Sequence, residues 1–207
     1  MDMLRSMYNV LSKQGKDPEE TFQLLMDFIA SQFEFKIPVH TQWFNPDMLK
    51  NLYELFDVNI LKEDPWDWFG ELHKELNLTL IDNSLVLDRE HLAKVAPNVT
   101  TGGLLPSRVL DTEAYTGRHI IEMWRKSDNA IFYGVESDIT AYQLSLLNMM
   151  CYDIPHSILY GNPNDMDIRE FSPNWRESNL WIPSTRRIQS DEVDERLRIV
   201  DGFYRVV

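Results

Sequence analysis

From Arg108 to Tyr160 short apolar runs alternate with helical segments, and this alternation constrains the fold more than any other feature of the chain. Arg108-Val109-Leu110 reads as a strand, Thr116 to Ser127 as a helix and Ala130 to Val135 as a strand. Asp138 to Cys151 then reads as a helix and Ser157 to Tyr160 as a strand. Strands and helices joined by such short links predict right-handed βαβ units in a parallel, doubly wound α/β sheet. Farther on, Asn179 to Ile182 reads as a strand, Asp191 to Val200 as a helix opened by Ser190, and Phe203 to Val207 as a last strand.

The chain before this pattern is helical up to about Asn77. Asp17-Pro18, Asn45-Pro46 and Asp64-Pro65 each place an Asx at an N-cap and a proline at the first helical position, so three helices are expected to start there. Leu78 to Ile81 and Leu85 to Leu87 predict a small hairpin, and Asp88 a cap for a short helix through Val95. Pro97 to Pro106, with two glycines between prolines, reads as a loop and as the main boundary. The expected organisation is a helical region over 1–97 and an α/β region over 106–207.

A length of 207 residues suits one substantial domain. The formal charge is −13, and neither side of Pro106 has a basic excess. That balance argues against a protein that coats nucleic acid or anionic membrane through phosphate neutralisation. Cys151 is the single cysteine, which excludes an intramolecular disulfide scaffold. No apolar run reaches a membrane span, and the first residues lack the apolar core of a leader, so a cytoplasmic protein is expected.

In a doubly wound sheet, ligands bind beyond the carboxyl ends of the strands. Three such ends are Asp111 with the turn through Thr116-Gly117, Glu136 before Ser137-Asp138, and Asn162 after Gly161. A carboxylate at the second end can accept from both hydroxyls of a ribose, and an amide at the third can read an adenine edge. Gly117 lets backbone approach a ligand closely. An adenosine-containing ligand is the expectation.

Three runs carry a resemblance: Asp64 to Asn77 (DPWDWFGELHKELN), VLDTEAYTGRHIIEM, and FYGVESDITAYQLSLLNMMCYDIPHSILYGN. Their order resembles the S-adenosylmethionine-dependent N6-adenine DNA methyltransferases of the restriction-modification subunit type. That family shows D-P-A-C-G-T-G-R, then Y-G-x-D-x-D, a helix with L-N-M, and a closing G-N or G-D. The resemblance implies a Rossmann-like methyltransferase sheet with S-adenosylmethionine as cofactor. Asp111, Thr116 and Gly117 would lie under its methionine, Glu136 on its ribose and Asn162 near its adenine. The chain departs from the pattern at Tyr115, which replaces a glycine, and it lacks both the phenylalanine-threonine-proline box and a [DNS]-P-P-[YFW] motif. Asn162, Asn174 and Trp175 are the nearest candidates for the catalytic positions. The missing box leaves two alternatives: a catalytically inactive methyltransferase-fold interaction or assembly protein, or one half of a split enzyme. DNA would then be reached through a partner subunit, and a protein partner or homo-oligomer is expected, with no membrane.

The remaining chemistry-bearing residues read blandly. Asp64, Asp67, Glu71 and Glu75 are expected as solvated acids on one helix face. His40, His73, His91, His119 and His156 have no metal-ligand spacing, and no metal is expected. Cys151 is expected in the core, and Trp43, Trp66 and Trp68 are expected to anchor the helical region on the sheet. Ten of the eleven basic residues after Pro106 are arginines, which suits phosphate contacts and ion pairs alike.

Overall fold

A computed structural model of the chain describes residues 1–33, 44–78, 88–96, 107–111, 114–127, 130–162, 167–174, 176–177, 180–181 and 204–206. Beyond residue 158 it describes only the backbone of the strands. The expected hairpin (79–87), the loop at 97–106, the helix at 191–200, His40, Trp43 and Trp175 lie outside these residues.

The first helix, α1 (Asp2–Ser12), buries Met3, Leu4, Met7 and Leu11, the three-and-four spacing of one helix face. α2 (Pro18–Ser31) starts where Asp17 accepts a hydrogen bond from the Glu20 amide, and α3 (Pro46–Leu55) where Asn45 accepts from the Met48 amide. Both expected caps are therefore present. The third is displaced. Asp64 does not open a helix but closes a short one, α4 (Val58–Glu63), which Asp57 caps. The next helix, α5 (Trp68–Glu75), is capped by Asp67, whose side chain accepts from the Gly70 amide. α6 (Arg89–Val95) begins at Asp88 as expected.

The α/β part follows in the expected alternation: β1 (Ser107–Asp111), α7 (Arg118–Arg125), β2 (Ala130–Glu136), α8 (Ile139–Cys151) and β3 (His156–Asn162). α7 starts two residues later than the sequence predicts, because Thr116 and Gly117 are spent in the turn before it. Two strands pair beyond β3: β4 (Asp167–Asn174) antiparallel to β3, and β7 (Tyr204–Val206) parallel to β1. Between them, β5 (Arg176–Glu177) and β6 (Leu180–Trp181) form a separate antiparallel pair. The larger sheet has the order β4-β3-β2-β1-β7. The expected fold is met at the level of a mixed α/β chain, mainly helical, with a parallel β1–β2 pair; helices on both faces of a doubly wound sheet go beyond these contacts.

α8 is the centre of the packing. It touches α2, α4, α5, α7, β2 and β3, and it is apolar almost all round, with Leu144, Leu146, Leu147, Met149, Met150 and Cys151 buried. A helix without a polar stripe is stable only when other elements surround it. One hydrophobic cluster therefore runs from Leu4 and Leu25 through Phe69 and Leu72 to Met149 and Ile158, joining residues that precede position 97 to residues that follow position 106. Cys151 is fully buried in it, and desolvation pushes its thiol far above the usual range. Among the described residues, no helix is long and apolar enough to cross a membrane.

Candidate functional site at the strand ends

Parallel register brings the three expected strand ends to one edge of the sheet. Asp111, the last residue of β1, pairs with Gly134, two residues before Glu136 ends β2. Glu136 in turn pairs with Tyr160, two residues before Asn162 ends β3. The turn after β1 closes over this edge, its Ala114 amide donating to the Val135 carbonyl at 3.0 Å.

Glu136 is buried, and its carboxylate is already engaged. Oε2 accepts from the Tyr115 amide at 2.7 Å, and Oε1 accepts from the amides of Ser137 and Asp138, each at 2.7 Å. Burial favours its neutral form and raises its pKa, while the three amide donors pull back toward the anion. An ionised carboxylate offers roughly four acceptor positions, so about one is left for a ribose hydroxyl. Asp111 is also buried, with Oδ2 3.6 Å from Nδ1 of His119 on α7.

The turn itself is tightly specified. Gly117 has φ +84°, and a Cβ there would sit 2.8 Å from Met149 Cε. Left-handed backbone and close packing both require glycine at this position. Tyr115 also has positive φ, +45°, a conformation that costs a non-glycine residue about 1–2 kcal/mol.

The feature that the sequence pattern does not reveal lies behind the turn. Asp67, expected as a solvated acid, is fully buried. Its Oδ2 accepts from Thr116 Oγ1 at 2.5 Å and from Arg118 Nε at 2.6 Å, while Oδ1 accepts from Gly70 N at 2.8 Å and Asn148 Nδ2 at 2.7 Å. Gly70 makes room for it, since a Cβ there would lie 2.0 Å from Oδ2. Asn148 also donates to the Thr116 carbonyl at 2.8 Å, and its Oδ1 has no partner among the described residues. The other three acids of that run are paired rather than free, Asp64 with Arg89, Glu71 with Arg118 and Glu75 with Arg5. The signals in the sequence are an aspartate three residues before a glycine, and an asparagine within the apolar run that closes α8.

Trp66, expected to anchor the helical region on the sheet, joins it to α7 and to the end of α8. The guanidinium groups of Arg89 and Arg118 lie over its ring, 5.4 Å and 5.3 Å from the centroid, and its carbonyl accepts from the Tyr152 hydroxyl. Trp68 packs partly buried against the core. His73 is buried with neither ring nitrogen hydrogen-bonded among the described residues, edge-on to Phe22 at 5.2 Å. No group of three His, Cys, Asp or Glu suited to a metal occurs among the described residues.

Register separates the catalytic candidates. Asn162 ends β3, whereas Asn174 pairs with His156 at the strand's beginning. Six residues at about 3.3 Å each put them roughly 20 Å apart along the strand. Asn174 therefore belongs to the opposite end of the sheet from Asp111, Glu136 and Asn162. No protein-family model matches this chain, and no curated protein matches it.

Proposed function

We propose that this chain is an S-adenosylmethionine-dependent methyltransferase-like protein, resembling the N6-adenine DNA enzymes, whose sheet is of the doubly wound, Rossmann-like type. The alignment of the Asp111, Glu136 and Asn162 strand ends along one edge carries the reading, because ligands of such sheets bind there. The remaining acceptor position of Glu136 would take a ribose hydroxyl, and Asn162 would face the adenine. The turn from Asp111 through Thr116 to Gly117 would lie under the methionine. The bound cofactor supplies a methyl group for in-line transfer, a reaction that depends chiefly on positioning. DNA would reach this cytoplasmic protein through a partner subunit, since the acidic chain has no phosphate-binding excess of its own.

Calorimetry with S-adenosylmethionine tests the proposal. Saturable binding that Glu136→Ala weakens at least tenfold, in a variant whose Tm shows it folded, is the expected result. No heat at millimolar cofactor sinks it.

A second reading is a protein that keeps the fold for assembly and has given up the chemistry. The engagement of Glu136 by three backbone amides and the tyrosine at the left-handed position 115 favour it. It predicts stable association with a partner protein without methyl transfer by the complex. A split enzyme would transfer methyl groups only once that partner is added.

A further inference from the structure

We infer that Asp67 is a positioning residue through which the helical N-terminal region sets the geometry of the cofactor turn. This rests on the cofactor edge proposed above. The turn from Ala114 to Arg118 is held from three directions. The Glu136 carboxylate fixes the Tyr115 amide, Asn148 on α8 fixes the Thr116 carbonyl, and Asp67 fixes both the Thr116 hydroxyl and the Arg118 guanidinium. The first two holds come from elements of the sheet region itself. The third comes from 49 and 51 residues upstream.

A carboxylate suits this task in a way no neutral side chain does. Asp67 faces four donors: the Gly70 amide, the Thr116 hydroxyl, the Arg118 Nε and the Asn148 amide group. An anion accepts all four with its two oxygens. An asparagine would turn an amino group toward at least one of these donors. Because Asp67 also caps α5, the register of that helix is coupled to the turn, and α5 packs on α8 beneath it. The Thr116 hydroxyl is consumed in this bond and buried, so Thr116 would serve a ligand through its backbone and its position, not its side chain.

The test uses the full chain and three variants, Asp67→Asn, Thr116→Val and Glu71→Gln. Glu71→Gln removes the outer negative charge on Arg118, at a carboxylate that also accepts from Trp66 Nε1, and leaves the Asp67 bonds in place. Two readings are taken, the Kd for S-adenosylmethionine and the amide hydrogen exchange of Tyr115 and Gly117 relative to amides inside α8. Asp67→Asn and Thr116→Val are expected to weaken cofactor binding at least tenfold and to speed exchange at the turn at least tenfold. Exchange inside α8 should stay unchanged, and Glu71→Gln should do neither. A folded Asp67→Asn protein with unaltered Kd and turn exchange overturns the inference. Should Asp67→Asn fail to fold, Thr116→Val decides by the same two readings. If the wild-type chain takes no cofactor at all, the cofactor proposal falls and turn exchange alone decides: unchanged exchange in Thr116→Val overturns the positioning role.

Discussion

Asp67 and Arg118 form an ion pair across 51 residues of sequence, Oδ2 to Nε 2.6 Å, with the carboxylate fully shielded and the guanidinium side chain 7% exposed. Arg118 is further held by Glu71 at 3.0 Å and lies over Trp66. Removing one partner of a buried pair leaves the other charge without compensation, at about 3–5 kcal/mol. Arg118→Met should therefore lose that much in urea denaturation, and Glu71→Gln, at a half-exposed partner, about 1 kcal/mol or less. Equal losses for the two would show that the buried pair contributes nothing special.

Two glycines with positive φ separate conformational strain from packing. Gly15 has φ +72° and open space around it; Gly117 has φ +84°, and a Cβ added to it would meet Met149 Cε at 2.8 Å. Gly15→Ala should cost about 1–2 kcal/mol, the left-handed penalty alone. Gly117→Ala should cost a further 1–3 kcal/mol or so for overpacking. Matching values from thermal or chemical unfolding would refute the packing contribution.

Burial lowers the affinity of His73 for a proton, opposed by the charges of Asp67, Asp138 and Glu19. The unfolded imidazole titrates near about 6.5. As pH falls through that value the unfolded chain takes up a proton that the folded chain resists, so stability decreases on acidification until the folded group also protonates. His73→Leu should flatten the stability profile between about pH 7 and pH 5. The raised pKa of Glu136 acts in the opposite sense, its favourable contribution lying at low pH and fading as pH rises. Comparing the two proteins at each pH cancels that background; parallel profiles would rule His73 out as the source.

Cys151 is buried and its thiol is held in the neutral form. A thiol reagent at mildly alkaline pH should leave the native protein unlabelled and label one thiol in denaturant. Fast native labelling would contradict the central place of α8.

The helix caps at Asp17, Asn45, Asp88 and Asp138 are legible in the sequence because in each a side-chain oxygen accepts from the amide three residues on. The same local grammar misassigns Asp64. Asp64-Pro65 and Asp67-Trp68 both precede apolar helical spacing, and the cap forms at Asp67, whose carboxylate also has partners from distant elements. β4 escapes the sequence pattern for a related reason: it carries Pro173 and pairs at the sheet edge, so its strand character comes from β3 beside it.

By itself the sequence determined the alternation of strands and helices, most of the caps and the line of strand ends, since periodicity and capping act over a few residues. Tertiary structure alone decided that Asp67 is a buried acceptor and not one of four solvated acids. Its three side-chain partners lie 49, 51 and 81 residues away, and a carboxylate's solvation depends on what folds against it. It also decided that Glu136 spends most of its acceptor capacity on the backbone, because the turn at Tyr115 folds back over the end of β2.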